Sequence, residues 1–394
     1  MTIHVHLLGD CHLQIWGLTP RQRLERMLRG YPEAQLAEPG QPLPASGEVL
    51  LLRADYIYDD RVLQGLMSAK RVALQDPRDG TVVAARADAS HWDHEPRLEG
   101  AALEGLTLVQ PETVAEGLQS ALRKFDRPWV VPATSSNRRR LEKALFNGAY
   151  KGVTDFITRW VWPAPARKVT AWCAHLGLKP NHVTALSYVL TVLAGYWFWQ
   201  GDYGWGLLAG WIMTFLDTVD GKLARVTITS SKFGNIFDHA LDLVHPPFWY
   251  LAWGVGLGAA WHFETAVNTV IAVIFAGYIA GRLCEGAFRF VAPFSMFIWR
   301  PFDSVNRLFT ARRNPNLLIL TLFWMAGRGD TGLVLVAAWT LISTLVLAVR
   351  LAWGGFLRSR GVQPEPWLSR VDDRASSRST IEKWFAPGMG PADV

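Results

Sequence analysis

Four aspartates stand close together in the chain, at the ends of two strongly apolar segments: Asp217, Asp220, Asp238 and Asp242. An ionised aspartate at the centre of a membrane costs about 2.5–3.5 kcal/mol on insertion scales, so four would cost roughly 10–14 kcal/mol. Packing alone does not account for such a cost. The four residues therefore predict that something cationic is held between the two segments.

The first segment places its carboxylates on one face of a helix. At about 100° per residue, Asp217 and Asp220 lie side by side, with the small residues Gly221 and Ala224 between and above them. Arg225 lies at the edge of this face, where a guanidinium can pair with a phosphate. The small residues leave space for a bulky ligand to approach the backbone.

In the second segment Gly234, Asp238 and Asp242 recur at every fourth position, again on one helix face. Two such faces brought together converge four carboxylates. All-oxygen ligands select hard cations, Mg²⁺ or Mn²⁺ before zinc. Four carboxylates suffice for two ions about 3.5–4 Å apart, the spacing that clamps a phosphoryl or pyrophosphoryl group. Helix-end carboxylates paired with nearby lysines and arginines are the alternative, which leaves the interleaved small residues unexplained.

Before these segments lies a part of the chain with the pattern of a soluble domain. Short strand-like runs are predicted at 4–8, 49–53, 72–74, 81–84 and 129–131, and helices at 21–29, 60–68 and 111–124. This alternation predicts an α/β domain with a mostly parallel sheet. Residues 138–151 are basic on one side and apolar on the other, which predicts a helix along the membrane surface or a linker helix packed on the first domain.

Six apolar runs follow, each a candidate transmembrane helix: 182–199, 203–220, 236–260, 264–288, 315–327 and 331–353. Lysine and arginine gather in the connections 222–232 and 282–313. The positive-inside rule therefore places these connections in the cytoplasm, together with both termini. Residues 358–394 are polar and are predicted to be a flexible tail.

Composition narrows the partners and the compartment. The net charge is +6, and no basic stripe interleaved with aromatic residues indicates nucleic acid. The three cysteines are far apart, so a disulfide framework or a zinc site is not expected and a reducing compartment fits. The first thirty residues lack an apolar signal core, so no cleaved signal peptide is expected.

The aspartate segments resemble a known family. Residues 217–242 read D-x2-D-G-x2-A-R-x8-G-x3-D-x3-D, the signature of the CDP-alcohol phosphotransferases, with all eight fixed positions filled. Lys-Pro-Asn-His-Val-Thr at 179–184 also resembles the start of the family's first span. The resemblance covers about 175–355. It implies an α-helical polytopic membrane domain of about six transmembrane helices, preceded here by the soluble α/β nucleotidyltransferase-like domain.

The resemblance also implies an activity: a CDP-linked alcohol is bound, its phospho-alcohol part moves to an acceptor hydroxyl, and CMP is released. The implied metal ligands, for two Mg²⁺ or Mn²⁺ ions, are Asp217, Asp220, Asp238 and Asp242, and Asp242 would also act as general base. The implied CDP site comprises Asn181, Thr184, Gly221, Ala224, Arg225, Ser231 and Gly234. A homodimer among membrane lipids, in the cytoplasmic (inner) membrane, is expected of such a protein.

The N-terminal region resembles a sugar nucleotidyltransferase, in particular an inositol-phosphate cytidylyltransferase. The similarity rests on G-L-T-P at 17–20, the basic run after it, and L-L-R-A-D at 51–55. The glycine-rich loop that would hold CTP is absent, so the domain is predicted to be degenerate, with a structural or regulatory role. Asp10 and Asp55 are the candidates if it is active. The predicted domains are 1–135 (α/β), 136–178 (amphipathic junction), 179–357 (membrane domain) and 358–394 (tail).

Three alternatives remain open at this stage. The fusion to a cytidylyltransferase-like domain favours a soluble CDP-polyol such as CDP-inositol as donor, with a lipid or polyol acceptor. The alternative donor is CDP-diacylglycerol, with inositol phosphate or another polar alcohol as acceptor. Arg282 and Arg313 are candidate anchors for a phosphate on one substrate, or else serve as orientation charges. A metal or anion transporter is the alternative from another class, since intramembrane carboxylates also mark ion pathways.

Overall fold

The structure is a computed structural model that describes residues 2–92, 96–116, 127–149, 152–230, 232–371 and 377–385, with the backbone alone for residues 101 and 232–241.

The N-terminal part is built on a mixed β-sheet. Its strands and those of a small second sheet are β1 Ile3–Leu8, β2 Ala34–Leu36, β3 Glu48–Arg53, β4 Tyr56–Tyr58, β5 Val72–Gln75, β6 Val82–Asp88, β7 Thr107–Val109 and β8 Val130–Pro132. The large sheet has the order β2-β1-β3-β6-β5-β7, and β4 pairs with β8. Three pairs in the large sheet are parallel, but β6 runs antiparallel to both β3 and β5.

The expectation of a mostly parallel sheet is therefore wrong at β6. Only six residues join β5 to β6, too few for the crossover that a parallel neighbour requires, so the connection forms a hairpin. The predicted α/β class is confirmed. The short strands β2, β4 and β7 were not predicted.

Helices pack against the large sheet. They are α1 Pro20–Leu28, α2 Asp60–Ser68 and α3 Pro111–Val114. Thr19 begins α1 with a capping box to Gln22, and Asp59 caps α2. Their apolar faces join strand residues such as Leu50 in one buried core. Residues 117–124 of the predicted third helix lie outside the described residues.

The described residues after β8 are mainly helical. Their helices include α4 Arg138–Gly148, α5 Pro163–His175, α6 Pro180–Gln200, α7 Tyr203–Val226, α8 Lys232–Leu257, α9 Val267–Val291, α10 Pro301–Phe309, α11 Arg313–Met325 and α12 Gly329–Ser359. Each of the six predicted apolar runs overlaps one of the helices α6, α7, α8, α9, α11 and α12.

Within the described residues, two helices are long and apolar enough to cross a membrane: α9 and α12, with 25 and 31 residues and a mean hydropathy of 1.7 and 2.3 over their best windows. Helix α11 has 13 residues and is about 20 Å long, shorter than the roughly 30 Å apolar layer of a bilayer. The number of six membrane crossings stays a prediction.

The long helices pack around a shared apolar core and leave apolar faces outside. Phe198 of α6 lies against Gly206 of α7, where an added Cβ would come within 2.5 Å of the ring. On the outside, Leu186, Val189 and Val192 of α6 are each more than half exposed. Exposed apolar surface of this kind is typical of helices that face lipid or a partner.

The junction and the tail pack on neighbouring parts of the chain. In α4, Leu141 and Phe146 are buried against Trp16 and Trp129 of the N-terminal part, which favours the linker-helix alternative over a helix lying on the membrane. In the tail, the described residues include α13 Thr380–Phe385, and Leu368 and Phe385 are buried against α10. This packing differs from the flexible tail predicted for 358–394. The predicted domain limits stay a prediction.

Candidate active site

Two of the signature carboxylates meet at one arginine. Asp217 lies near the end of α7 and Asp242 lies in α8. Arg313, the first residue of α11, donates from Nη2 to Asp217 Oδ2 at 2.5 Å and from Nη1 to Asp242 Oδ1 at 2.6 Å. The side chains of Arg313 and Asp217 are 15% and 18% exposed, and that of Asp242 is 40% exposed. Carboxylates from two helices thus lie close enough to share one cationic group.

Asp220 lies one helical turn beyond Asp217 and is 4% exposed. Its Oδ2 accepts a hydrogen bond of 2.6 Å from Thr184 Oγ1, in the first turns of α6, and this hydroxyl also lies 3.1 Å from the carbonyl of Pro180. The Pro-Asn-x-x-Thr segment and the aspartate segment are therefore in direct contact. Asn181, from the same segment, is exposed.

Gly221 makes room for a neighbour on its own helix. A Cβ added at Gly221 would lie 2.9 Å from Arg225 Nη2, so the glycine allows the guanidinium to fold back over the helix. The sequence interpretation assigned this space to a ligand, whereas the structure places Arg225 in it. Ala224 is half-buried between them.

Part of the predicted site lies outside the described residues. This applies to Ser231 and to the side chain of Asp238, and Gly234 is described by its backbone alone. Among the described side chains, no group of three or more His, Cys, Asp or Glu is arranged to hold a metal ion. Asp217 and Asp242 nevertheless offer carboxylate oxygens to a single cation, and this donor set suits Mg²⁺ or Mn²⁺. The two predicted metal ions are compatible with these residues, and their binding stays a prediction.

A second cationic cluster lies beside the carboxylates. Arg312 forms an ion pair with Glu285, and Arg282 Nη1 lies 3.7 Å from the same carboxylate. Arg307 and Arg312 both stack on Phe297, at 5.4 Å from its centroid. Within the described part of the chain, Arg307 Nη1 and Arg312 Nε are buried without a hydrogen-bond partner. Asp155 also acts on Arg307, so these three guanidinium groups face two carboxylates and positive charge is in excess.

Tyr278 connects this arginine cluster to the carboxylates. Its hydroxyl donates to the carbonyl of Leu243, the residue after Asp242, at 2.9 Å, and Arg282 Nη2 lies 3.2 Å from the same hydroxyl. Tyr278, Arg282 and Arg312 line a small pocket together with Glu285 and with residues of α9, of α12 and of the turn before α11. Tyr278 was not identified from the sequence, since a single tyrosine in an apolar run carries no motif.

In the N-terminal part, arginines lie beside Asp10 and Asp55, the two residues predicted for an active nucleotidyltransferase site. Asp55 pairs with Arg53 at 2.6 Å, and Asp10 is 3.9 Å from Arg21. The same Arg21 donates to the carbonyl of Gly9 at 3.0 Å. These contacts tie the loop after β1 to α1, in the place where the sequence lacks a glycine-rich loop.

Carboxylates and arginines thus lie together among long helices with apolar outer faces, and such groups suit a cation and a phosphate. Residues 178–353 match the protein family described as CDP-alcohol phosphatidyltransferase. The chain therefore carries a domain of that family, as the signature predicted.

Curated relatives agree with this family. An archaetidylinositol phosphate synthase of Pyrococcus horikoshii is 32% identical over 117 residues, covering 29% of this chain and 60% of that protein. A cholinephosphotransferase 1 of Gallus gallus is 32% identical over 133 residues, covering 31% and 38%. A bifunctional IPC transferase and DIPP synthase of Aquifex aeolicus is 23% identical over 234 residues, covering 57% and 50%, a match longer than the family domain. The chain thus spans less than two thirds of each of these relatives.

Proposed function

We propose that the protein is a membrane CDP-alcohol phosphotransferase of phospholipid or polar-lipid synthesis. It would move the phospho-alcohol part of a CDP-alcohol to an acceptor hydroxyl and release CMP. The observation that supports this most is the meeting of Asp217 and Asp242, from two helices of the matched family domain, at one cationic group. The transporter alternative has no comparable support.

The proposed chemistry assigns a role to each group. Two Mg²⁺ or Mn²⁺ ions held by Asp217, Asp220, Asp238 and Asp242 would neutralise charge on the diphosphate when bound. Arg225 pairs with a phosphate of the donor, and Thr184 holds Asp220 in place.

Asp242 is the most exposed of the described signature carboxylates, so it is the one that an acceptor can reach. It takes the proton as the acceptor oxygen attacks the phosphorus next to the alcohol. A new P–O bond forms, the bond between the two phosphates breaks, and CMP leaves with the electron pair.

Different observations support the two alternatives for the donor, a CDP-polyol and CDP-diacylglycerol. The long match to the Aquifex relative favours a soluble CDP-polyol such as CDP-inositol as donor. The arginine cluster favours CDP-diacylglycerol as donor and a phosphorylated alcohol, such as inositol phosphate, as acceptor, because a phosphate can accept hydrogen bonds from the described nitrogens that lack a partner, Arg307 Nη1 and Arg312 Nε. The Pyrococcus relative and a relative from Streptomyces avermitilis, named phosphatidylinositol phosphate synthase, agree with the second version. We propose the second version as the better supported.

Placement in the membrane is part of the same proposal. We propose that the carboxylates, the N-terminal part and the C-terminal tail lie on the cytoplasmic side of the inner membrane, because the basic connections follow the positive-inside rule for that orientation. The exposed apolar faces of the long helices are available for lipid and for a second copy of the chain in a homodimer. The limits 1–135, 136–178, 179–357 and 358–394 are proposed for the domains.

The activity is tested directly with purified protein in lipid vesicles. CMP release is measured with Mg²⁺ or Mn²⁺ over a matrix of CDP-inositol, CDP-glycerol and CDP-diacylglycerol against lipid, inositol and inositol-phosphate acceptors. We expect release for one donor and acceptor class, and its loss when a chelator removes the divalent ion. Absence of CMP release in every combination would contradict the proposal.

Replacing Arg282 by glutamine tests the phosphorylated acceptor. The KM for inositol phosphate is expected to rise by about tenfold or more, because a charged hydrogen bond to phosphate is lost, while the KM for the donor stays within about twofold. Arg289→Gln is the matched control, since Arg289 is an exposed arginine on the same helix. A rise of the same size with an unphosphorylated acceptor would argue that Arg282 does not bind the phosphate.

A further inference from the structure

The N-terminal part contacts the signature helix at the end of that helix. Arg23 Nη1 donates to the carbonyl of Val226 at 2.6 Å, and Arg26 Nη1 donates to the carbonyl of Thr227 at 2.6 Å. Val226 is the last residue of α7 and Thr227 is its C-cap. The last carbonyls of a helix lack partners within it, and the negative end of the helix dipole favours cations.

Both arginines come from one face of α1, since residues three apart on a helix are neighbours. Arg23 is 5% exposed, and burial lowers its pKa to about 10, so it is still charged at neutral pH. A buried charged group of this kind needs partners: Arg23 donates to the end of α7, and the carboxylate of Asp60 also stabilises its charge.

One face of α7 is packed on the N-terminal part and the junction. Val219, Leu223 and Val226 are buried in the same apolar cluster as Trp16 and Trp129. On a helix of about 100° per residue these three positions lie roughly 180–240° from Asp217 and about 60–120° from Asp220, so this face points away from Asp217 and flanks Asp220.

Lys222 forms a hydrogen bond from the same side of α7 to the junction. It is 2% exposed, and its Nζ donates to the carbonyl of Phe146, in α4, at 3.1 Å. Lys222 and Leu223 occupy positions that the signature leaves open. The fixed residues of the signature thus lie on the side of α7 that faces the site. In this chain, the variable positions of the signature attach α7 to the preceding domain.

The turn after α7 is strained. Ile228 has φ of 53°, a left-handed conformation that is unfavourable for a β-branched residue. Such a conformation persists only where the surroundings hold it. The two arginine contacts lie on the residues immediately before Ile228.

We infer that the N-terminal domain positions the signature helix, with Arg23 and Arg26 as positioning residues that hold its last turn. Arg225 is the residue before Val226, and Asp220 lies less than two turns earlier, so release of this end displaces the phosphate-binding arginine first. The domain predicted to be degenerate would then act on the reaction through α7. This inference rests on the proposed function for its kinetic readout.

The test compares Arg23→Met with Arg23→Lys. Methionine keeps an apolar stem but has no N–H donor, whereas lysine keeps a charged donor. We expect kcat/KM for the donor to fall by about tenfold in Arg23→Met and by no more than about threefold in Arg23→Lys. Arg29→Met, at an exposed arginine just after α1, is the control and should match the wild type.

Hydrogen exchange gives a second readout that does not depend on activity. In Arg23→Met the amides of Thr227 and Thr229, which bond to carbonyls of α7, are expected to exchange about tenfold faster, while those of β3 are unchanged. Arg26→Met, which is less buried, repeats the test if Arg23→Met does not fold. Wild-type kinetics and exchange in the methionine variants, or equal defects with methionine and lysine, would overturn the inference. If the wild type releases no CMP, the proposed function fails, and the exchange data still decide the positioning role.

Discussion

Replacing Asp220 by asparagine is expected to abolish CMP release, with a fall of more than about 100-fold in kcat. Asparagine has the same shape and can still accept the hydrogen bond from Thr184, so the contact between α6 and α7 persists. The charge that would bind the cation is lost. Supporting groups around a metal already contribute 10–100-fold, and we expect a ligand to contribute at least as much. CMP release is measured beside thermal unfolding and size-exclusion behaviour.

Asp202→Asn is the matched control for this variant. Asp202 is exposed and precedes the other end of the same helix, so its replacement is expected to leave the rate unchanged. The same loss is expected for asparagine at the three other signature positions, Asp217, Asp238 and Asp242. An Asp220→Asn protein that stays active while divalent metal is chelated would remove the metal-ligand role from this residue.

Local periodicity explains which parts of the site are predictable from the sequence. The spacing of Asp217 and Asp220 places them on one face of a helix whatever surrounds it, and the structure has that helix. The apolar runs predict the long helices in the same way, because the length of a run indicates a helix independently of what packs against it.

Contacts between distant residues explain what could not be predicted. Arg313 is 96 residues from Asp217 and 71 from Asp242, so its two ion pairs follow from how α11 packs against α7 and α8. The sequence interpretation considered Arg313 as a phosphate anchor, and the described structure places it on the carboxylates. Arg23 belongs to the basic run after residues 17–20, but nothing in that run pointed to Val226, 203 residues away.

The antiparallel strand β6 shows a limit of a different kind. Its run reads as a buried strand in either direction, and only the length of the connection to β5 distinguishes a hairpin from a crossover. Direction was therefore readable in principle from the short spacing between the two runs. The alternation of strands and helices elsewhere in the domain outweighed that spacing in the sequence interpretation.

Replacing Arg313 by methionine is expected to make the stability of the protein depend on divalent metal. Without the guanidinium, the carboxylates of Asp217 and Asp242 face each other with no cation between them. These ion pairs are partly buried, so their loss costs an energy between that of an exposed pair and that of a buried pair, about 1–3 kcal/mol. Such a loss lowers Tm by roughly 2–10 °C in the presence of a chelator. Millimolar Mg²⁺ is expected to restore most of that difference, since a ligand that binds only the folded state stabilises it.

The same variant separates two roles for Arg313. If it holds the carboxylates, kcat falls by about 10–100-fold and the KM for the acceptor changes little, because the group acts on the catalytic side chains. If it anchors a phosphate of the acceptor, that KM rises selectively, and Tm in chelator stays at the wild-type value. Arg289→Met, which removes an arginine outside the ion pairs described in the structure, should change neither Tm nor kcat. We expect the first pattern, because the two guanidinium nitrogens of Arg313 are directed at Asp217 and Asp242.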